Sequence, residues 1–251
     1  MSGHSKWATI KHKKGAADAK RGRLWTKCIK EIQVAARMGG GDVNSNPRLR
    51  KAVATAKGAA MNADNITRAI KRGTGELEGQ SYEEATYEGT GPGGTLFIVE
   101  ALTDNKNRTV AELRKICEKN NGVLGSSGTA GWAFDKKGLI QIARESADED
   151  KLMELAVGAG ADDYVDTGDQ WSIATPADQL DAVAKALEAA SIAPAEQKLG
   201  WVPKIKKDVT GRDAEMALRL ADLLDEHDDV QNVYADFDVS DEEMTRIGNL
   251  P

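Results

Sequence analysis

Apolar side chains recur at intervals of three and four residues through the first third of the chain, which is the period of amphipathic helices. A helix is predicted over residues 18–38, and a run of three glycines then ends it. Asn46 and Pro47 predict the N-cap and first position of a second helix, and Asp64 predicts the N-cap of a third. The pattern therefore predicts a small three-helix unit.

From residue 82 onward the pattern changes to short strands separated by helices. Residues 82–88 and 95–102 are predicted strands joined by a glycine-rich turn, and Thr109 with Glu112 predicts a capping box at the start of a helix. Further strands are predicted near residues 123, 132, 139–143, 163–167, 170–174, 198–205 and 233–239, with helices near 148–157, 175–187 and 214–226.

The order of these elements predicts the domain organisation. Between residues 135 and 197 the order strand, helix, strand, strand, helix, strand is the ferredoxin-like one. The elements of 82–134 lack a closing half, which residues 198–243 supply. We therefore expect an α+β protein in which a basic arm and three-helix bundle (1–75) precede two ferredoxin-like α+β domains. The domain of 135–197 is predicted to be inserted in the outer domain of 82–134 plus 198–243.

Charge divides the chain along the same boundary. The 251 residues carry a formal net charge of −6. Residues 1–75 hold 17 Lys and Arg against 4 Asp and Glu, a net of +13, while the remainder holds 17 against 36, a net of −19. Such asymmetry is typical of a basic module carried on an acidic body.

The basic module predicts a nucleic-acid partner, because neutralising phosphates releases counterions and so favours clustered Lys and Arg. The first helix carries a basic stripe (Lys20, Arg23, Lys27, Lys30 and Arg37) opposite its apolar side, and the alternative interpretation is a solvated helix face. Trp7 is expected either to stack on an unpaired base or to pack into the bundle core. The candidate nucleic-acid-binding residues are His4, Lys6, Trp7, Lys11, Lys13, Lys14, Lys20, Arg21, Arg23, Lys27, Lys30, Arg48, Arg50, Lys51, Arg68, Lys71 and Arg72.

Two further motifs invite a phosphate-binding interpretation. Residues 89–94 match the G-x-G-x-x-G pattern, but a strand follows where a nucleotide-binding turn requires a helix. A structural turn, or a contact surface for a large partner, therefore fits better. Arg108 lies at a predicted helix N-terminus, where anion binding and simple helix capping both remain open.

Catalytic signals are weak throughout the sequence. The acidic cluster Asp222, Asp225, Glu226, His227, Asp228 and Asp229 lacks the spacing of known metal motifs and is expected to be a solvated face at a helix end. Only three histidines are present, and no base is near Ser126 and Ser127. We therefore expect no enzyme activity, no catalytic residue, no metal and no cofactor.

The remaining composition concerns location. No run of about 18 apolar residues predicts a membrane span, and the N-terminus lacks the apolar segment of a secretory signal. Cys28 and Cys117 lie within predicted helices without CxxC spacing, so we expect buried free thiols. These features predict a cytoplasmic protein without a membrane partner; the oligomeric state is not determined by sequence.

Several uncommon strings resemble the YebC family along essentially the whole chain. They are SGHSKWA at 2–8, IKHKK at 10–14, KRGR at 20–23, NPRLR at 46–50, RAI at 68–70, YEG at 87–89, GPGG at 91–94 and DNKNRTV at 104–110. The resemblance implies a cytosolic, non-enzymatic regulator of gene expression built from a helical bundle and two α+β domains. It also implies that the arm and bundle cations touch nucleic acid and that Gly91, Pro92, Gly93, Gly94 and Arg108 share a partner surface.

The family resemblance carries two functional descriptions. One is a DNA-binding transcriptional regulator. The other is a ribosome-associated translation factor that binds ribosomal RNA and relieves stalling at proline runs, similar to the mitochondrial translational activator of cytochrome oxidase. Two other classes remain as alternatives, namely a nuclease using the aspartates and a scaffold whose acidic domains dock basic proteins or the transcription machinery.

Overall fold

The computed structural model describes residues 17–168 and 170–248. The helices are α1 (Ala17–Gly39), α2 (Pro47–Gly58), α3 (Ala63–Thr74), α4 (Lys106–Lys119), α5 (Glu149–Gly158), α6 (Leu180–Ala189), α7 (Gly211–Asp225) and α8 (Asp241–Gly248). The strands are β1 (Glu83–Gly91), β2 (Thr95–Thr103), β3 (Val123–Leu124), β4 (Phe134–Ala143), β5 (Asp163–Asp166), β6 (Gln170–Pro176), β7 (Glu196–Pro203), β8 (Lys207–Asp208), β9 (Val230–Ala235) and β10 (Phe237–Asp238). Short 3₁₀ turns occupy Pro92–Gly94, Gly131–Ala133 and Arg144–Ser146. The predicted α+β class is confirmed.

Helices α1, α2 and α3 form the predicted bundle, and Asn46 fixes the turn between the first two. Its Oδ1 accepts a hydrogen bond from the Leu49 amide at 3.0 Å, which is the expected N-cap of α2. Its Nδ2 donates to the carbonyls of Ala35 at 2.8 Å and Gly40 at 2.9 Å, so one buried side chain closes both helix ends. The bundle core contains Cys28, Ile32, Ala35, Ala36, Leu49, Ala52, Val53, Ala56, Met61, Ile66 and Ala69.

The cap predicted for α3 is wrong by two residues. Asn62, not Asp64, caps the helix, because its Oδ1 accepts from the Asn65 amide at 2.8 Å. Asp64 instead lies in the first turn, where its negative charge interacts favourably with the positive end of the helix dipole.

The outer sheet has the order β3-β1-β2-β9, and every pair is antiparallel. Helices α4 and α7 supply much of the core beneath it, which includes Leu113, Cys117, Leu220 and Leu224. This is the strand order of a ferredoxin-like sheet, with one difference. The position normally held by the third strand of that fold is occupied by β1, which comes before the other strands in the chain. The closing half predicted from the sequence is present as α7 and β9.

The second sheet has the order β5-β6-β4-β7, which is the ferredoxin-like arrangement of its six elements. Strand β7 pairs with β4 from Phe134 opposite Pro203 to Gln141 opposite Glu196. The strand predicted at 198–205 therefore lies in this sheet rather than in the outer one, because the ten-residue β4 offers an edge that β7 covers. The strand predicted near Trp132 is a 3₁₀ turn that leads into β4.

The Glu100 carboxylate on β2 connects the two sheets. It accepts hydrogen bonds from Trp201 Nε1 on β7 at 3.0 Å, from Asn232 Nδ2 at 3.1 Å and from the Tyr234 hydroxyl at 3.2 Å. Because Asn232 and Tyr234 belong to β9, one side chain ties the inserted sheet to β2 and to the edge strand β9 of the outer sheet.

Cys28 and Cys117 are both buried and free, as predicted. Burial raises the pKa of each thiol to about 11, which keeps them as unreactive thiols near neutral pH. Among the helices that the structure describes, none is long and apolar enough to cross a membrane.

Gly89 is expected to tolerate no side chain, whereas Gly22 on α1 is expected to tolerate one. A Cβ at Gly89 would lie 2.3 Å from Phe97 Cζ and 2.5 Å from the Val123 carbonyl, while a Cβ at Gly22 meets nothing within 4 Å. We predict that Gly89→Ala lowers the free energy of unfolding by about 1–3 kcal/mol. Gly22→Ala should raise it by roughly 0.5–1 kcal/mol. Urea denaturation measures both, and equal stability of the two variants would contradict this packing.

Candidate nucleic-acid interface

Part of the predicted site lies outside the described residues. This applies to the arm residues His4, Lys6, Trp7, Lys11, Lys13 and Lys14 and to the side chain of Lys20. Their roles stay predictions.

Two cations at the start of the basic stripe contact the end of α7. Arg23 forms an ion pair with Glu226 at 2.6 Å. Lys27 Nζ lies 2.9 Å from the Asp225 carbonyl and 3.0 Å from its carboxylate. A helix C-terminus offers unpaired carbonyls and negative dipole charge, so it attracts such cations.

Lys30 continues the same contact in a buried position. Its Nζ donates to the Asp228 carbonyl at 2.9 Å and to the Asp229 carboxylate at 2.5 Å. The side chains of Lys30 and Asp229 are only 7% and 4% exposed, so no other molecule reaches this pair while the contact holds. We call Asp225, Glu226, Asp228 and Asp229 the acidic helix end. The prediction of a solvated acidic face is wrong for Asp225 and Asp229, which cations of α1 cover, while Glu226 and Asp228 are exposed.

Asp229 is the centre of this contact. Besides Lys30, its carboxylate accepts from Thr109 Oγ1 at 2.7 Å, Arg108 Nη2 at 2.9 Å and Thr103 Oγ1 at 3.2 Å. Burial alone would raise the pKa of Asp229, but hydrogen bonds from Lys30, Arg108 and Thr109 outweigh it and hold that pKa well below its usual range. The aspartate is therefore a fixed negative charge that joins the bundle to β2 and α4.

Thr109 has a different role from the predicted cap. Helix α4 begins three residues earlier, at Lys106, and Asn105 caps it by accepting from the Arg108 amide at 3.1 Å. Thr109 is fully buried within the helix and bonds Asp229 instead. The capping-box prediction is wrong because several polar residues near the helix start could act as the N-cap. Asn105 takes that position, and Thr109 bonds Asp229 instead.

Arg108 lies between two carboxylates of its own chain. Its Nη2 is 2.7 Å from Asp104 and 2.9 Å from Asp229. An incoming anion would therefore have to compete with both aspartates for this guanidinium.

The structure does not bring the glycine turn and Arg108 together, and their predicted common partner stays a prediction. Gly93 and Gly94 adopt φ angles of 68° and 70°, and a Cβ on Gly93 would lie 3.3 Å from Asp213. The turn therefore packs on the N-terminal end of α7, whereas Arg108 bonds Asp229 just beyond its C-terminal end. The 15 residues of α7 separate the two by about 20 Å. Pro92 is buried and strand β2 follows directly, so the turn has a structural role in the hairpin.

A polar cleft of about 540 Å³ lies between the bundle and the outer domain. Within it, oxygen and nitrogen atoms of Glu112, His227 and Asp229 lie within 4.8 Å of one another. His227 Nε2 is 2.9 Å from Glu112, and His227 Nδ1 accepts from the Asp229 amide at 3.1 Å. Hydrogen bonds therefore account for this cluster. The cleft is lined by Thr26, Lys30, Gln80, Tyr82, Asp104, Arg108, Glu112, Glu226, His227, Asp228 and Asp229.

The candidate cations of α2 have mixed surroundings. Arg48 pairs with Glu31 and with Glu84, each at 2.7 Å. Arg50 is exposed and its Nε donates to the Val43 carbonyl at 3.1 Å. Lys51 is half-buried near β7, and burial lowers its pKa. Of these, Arg50 presents the most accessible charge.

Helix α3 carries the most open set of candidate cations. Arg68, Lys71 and Arg72 are exposed, and among the described residues no ion pair involves any of them. We call these three residues the α3 basic face. Arg21 is also exposed, at the start of α1, and Arg37 contacts Ser81 and the Tyr82 carbonyl. Among the described candidate cations, α3 therefore carries three accessible positive charges.

Sequence reasoning missed the residues that organise the cleft. Thr103, Tyr82 and Gln80 carry no motif, and Glu112 is predicted only as part of a capping box. Only the fold brings these residues to the bundle. One signal was available, since the basic stripe and the acidic cluster are complementary in charge and could have been predicted to meet.

Comparison with known proteins identifies the family. Residues 5–76 match the model of the TACO1/YebC protein N-terminal domain, and residues 82–237 match that of the TACO1/YebC second and third domain. The chain belongs to the TACO1/YebC family. It is 41% identical to a conserved hypothetical protein from Aquifex aeolicus, whose crystal structure superposes with a TM-score of 0.88 over 94% of this chain and 98% of that one.

Curated relatives have similar length. A protein of Desulforapulum autotrophicum is 56% identical over 242 residues, which cover 96% of this chain and 98% of the relative. One from Geobacter sp. strain M21 is 53% identical over 247 residues, covering 98% of this chain and all of the relative. Both are named probable transcriptional regulatory proteins.

Replacing Asp229 should destabilise the protein strongly. Asp229→Asn leaves Lys30 and Arg108 without their shared carboxylate, so we predict that the free energy of unfolding falls by about 3 kcal/mol at neutral pH. The low pKa of Asp229 in the fold also means that its contribution is present above its unfolded pKa of about 3.9 and is lost as the pH falls further.

Urea denaturation at neutral and acidic pH measures both effects. In Asp229→Asn the decline in stability below about pH 4 should be shallower than in the natural protein. The exposed Asp178→Asn provides the matched control and should change neither quantity. If Asp229→Asn behaved like this control, Asp229 would not be the centre of the contact.

Proposed function

We propose that this protein is a non-enzymatic, nucleic-acid-binding regulator of gene expression. The observation that carries the proposal is the α3 basic face, three exposed cations without ion-pair partners among the described residues. They lie within a segment whose net charge is +13. Lys and Arg on one exposed helix face are the electrostatic footprint of phosphate binding.

The names of the relatives support a role in regulation. Proteins 53–56% identical to this chain are called probable transcriptional regulatory proteins. We propose a DNA-binding transcriptional regulator as the first form of the function. The two buried free cysteines are compatible with the reducing cytoplasm as the place of action.

Recognition is proposed to read the phosphate backbone rather than base edges. The open cations are Arg50, Arg68, Lys71 and Arg72, and Lys and Arg supply many of the contacts that proteins make to phosphate oxygens. Binding should therefore depend weakly on sequence. The acidic outer and inserted domains would be repelled by a polyanion, so the protein is proposed to bind by its bundle end.

The same cations support ribosomal RNA as a second target. A surface that contacts phosphates without reading bases suits folded RNA as well as duplex DNA. Ribosome co-sedimentation from a lysate distinguishes the two. Association that survives nuclease removal of DNA would favour the translation factor, whereas absence from ribosomes with protection of promoter DNA would favour the transcriptional regulator.

Neutralising the α3 basic face should weaken binding in a salt-dependent way. We predict that the triple variant Arg68→Gln, Lys71→Gln, Arg72→Gln has a shallower plot of log affinity against log salt. The magnitude of the slope should fall by roughly 2–3, because each lost duplex phosphate contact removes about 0.9. Fluorescence anisotropy with labelled duplex DNA and single-stranded RNA over a salt series measures the slope.

The matched control removes three exposed cations from α4 instead, through Arg114→Gln, Lys115→Gln and Lys119→Gln. It changes the net charge equally but should leave the slope unchanged. Equal loss in both triple variants would mean that general charge, and not the α3 basic face, drives binding.

A further inference from the structure

The basic stripe and the acidic helix end meet as a polycation meets a polyanion. Arg23, Lys27 and Lys30 follow one another at spacings of four and three residues, so they project from one side of α1. Opposite them are carboxylates of Asp225, Glu226 and Asp229 at distances of 2.5–3.0 Å. Carboxylates therefore occupy three cations that would otherwise be available to the phosphates of a nucleic acid.

The contact is polar, while the cores on its two sides are separate. The buried cluster of the bundle runs from Cys28 to Ala69, and that of the outer domain runs from Phe97 to Val239. No residue belongs to both clusters, and no apolar residue packed against one is packed against the other. Separating the bundle from the outer domain would therefore leave both cores closed.

The three ion pairs become less exposed to solvent along α1, from Arg23 to Lys30. The side chains of Arg23 and Glu226 are 35% and 54% exposed, those of Lys27 and Asp225 are 15% and 16%, and those of Lys30 and Asp229 are below 10%. Salt and competing polyanions screen exposed pairs far more than buried ones. Separation would therefore begin at Arg23 and proceed toward Lys30.

We propose that the acidic helix end is an intramolecular occupant of the basic stripe that a nucleic-acid phosphate backbone displaces. In the closed state the α3 basic face captures the polyanion. Displacement of Asp225 and Glu226 then adds Arg23 and Lys27 to the binding surface. The proposal rests on the proposed nucleic-acid binding, and it makes the acidic outer domain a regulator of how much positive charge the bundle presents.

Zero-length cross-linking tests the displacement directly on the natural protein. A carbodiimide condenses an amine with a touching carboxylate, so it should join Lys27 to Asp225, which lie 3.0 Å apart. Lys137 and Asp162, 2.8 Å apart in the inserted domain, provide an internal control. Mass spectrometry would compare the two cross-links with no addition, with heparin, and with a poly(A) oligonucleotide.

We expect the yield of the 27–225 cross-link to fall several-fold relative to the 137–162 cross-link when heparin or RNA is bound. An unchanged ratio with bound polyanion would overturn the proposal and show that the contact is permanent. If neither polyanion binds at all, the proposed nucleic-acid function fails. In that case, comparing the ratio of the 27–225 to the 137–162 cross-link at high and low salt still decides whether the contact opens.

Neutralising Asp225 and Glu226 should let nucleic acid bind more tightly. For Asp225→Asn with Glu226→Gln, poly(A) no longer has to displace two carboxylates, so we predict a several-fold higher affinity than that of the natural protein at low salt. The control Glu154→Gln with Glu188→Gln removes the same charge from exposed positions of the inserted domain. An equal increase in both double variants would contradict the proposal.

Discussion

The carboxylate of Asp229 is the constraint on which the arrangement of the bundle and the outer domain depends. It receives hydrogen bonds from Lys30 on α1, Arg108 and Thr109 on α4 and Thr103 on β2. Its own amide and carbonyl bond His227 and Leu102. A buried carboxylate is stable only when its lone pairs are satisfied, so these three elements have one mutual placement that meets the requirement.

This contact reduces how much of the charge of the basic and acidic segments is available to a partner. The +13 of residues 1–75 is not all available to a partner, because Arg23, Lys27, Lys30 and Arg48 are paired with carboxylates of the same chain. Part of the −19 of the remainder is likewise consumed in holding the bundle. Among the described residues of the bundle, Arg68, Lys71 and Arg72 of α3 face solvent without an ion pair.

The parts of the fold that sequence predicted correctly are those set by neighbouring residues. Asn46 and Pro47 predict a helix start correctly, because the N-cap hydrogen bond involves only the next three residues. Caps failed at Asp64 and Thr109, where several polar residues compete for one position and tertiary contacts decide. The strand β7 was placed in the wrong sheet, because pairing with β4 joins residues about sixty positions apart and leaves no local signal.

The candidate site divides in the same way. Composition alone revealed which segment is basic and which is acidic, since charge is counted without knowing the fold. Which cation meets which carboxylate depends on how α7 and the bundle are oriented, and no motif encodes that. For this reason the basic stripe was interpreted as a phosphate surface, while in the structure it contacts the acidic helix end.

A double-mutant cycle between Lys30 and Asp229 tests the central claim most directly. The free energy of unfolding would be measured for Lys30→Gln, for Asp229→Asn and for the two together. Because both side chains are buried against each other, the two losses should overlap, with an interaction energy of about 1–3 kcal/mol. Losses that add within about 0.5 kcal/mol would show that the two residues act independently and that the contact does not hold the bundle in place.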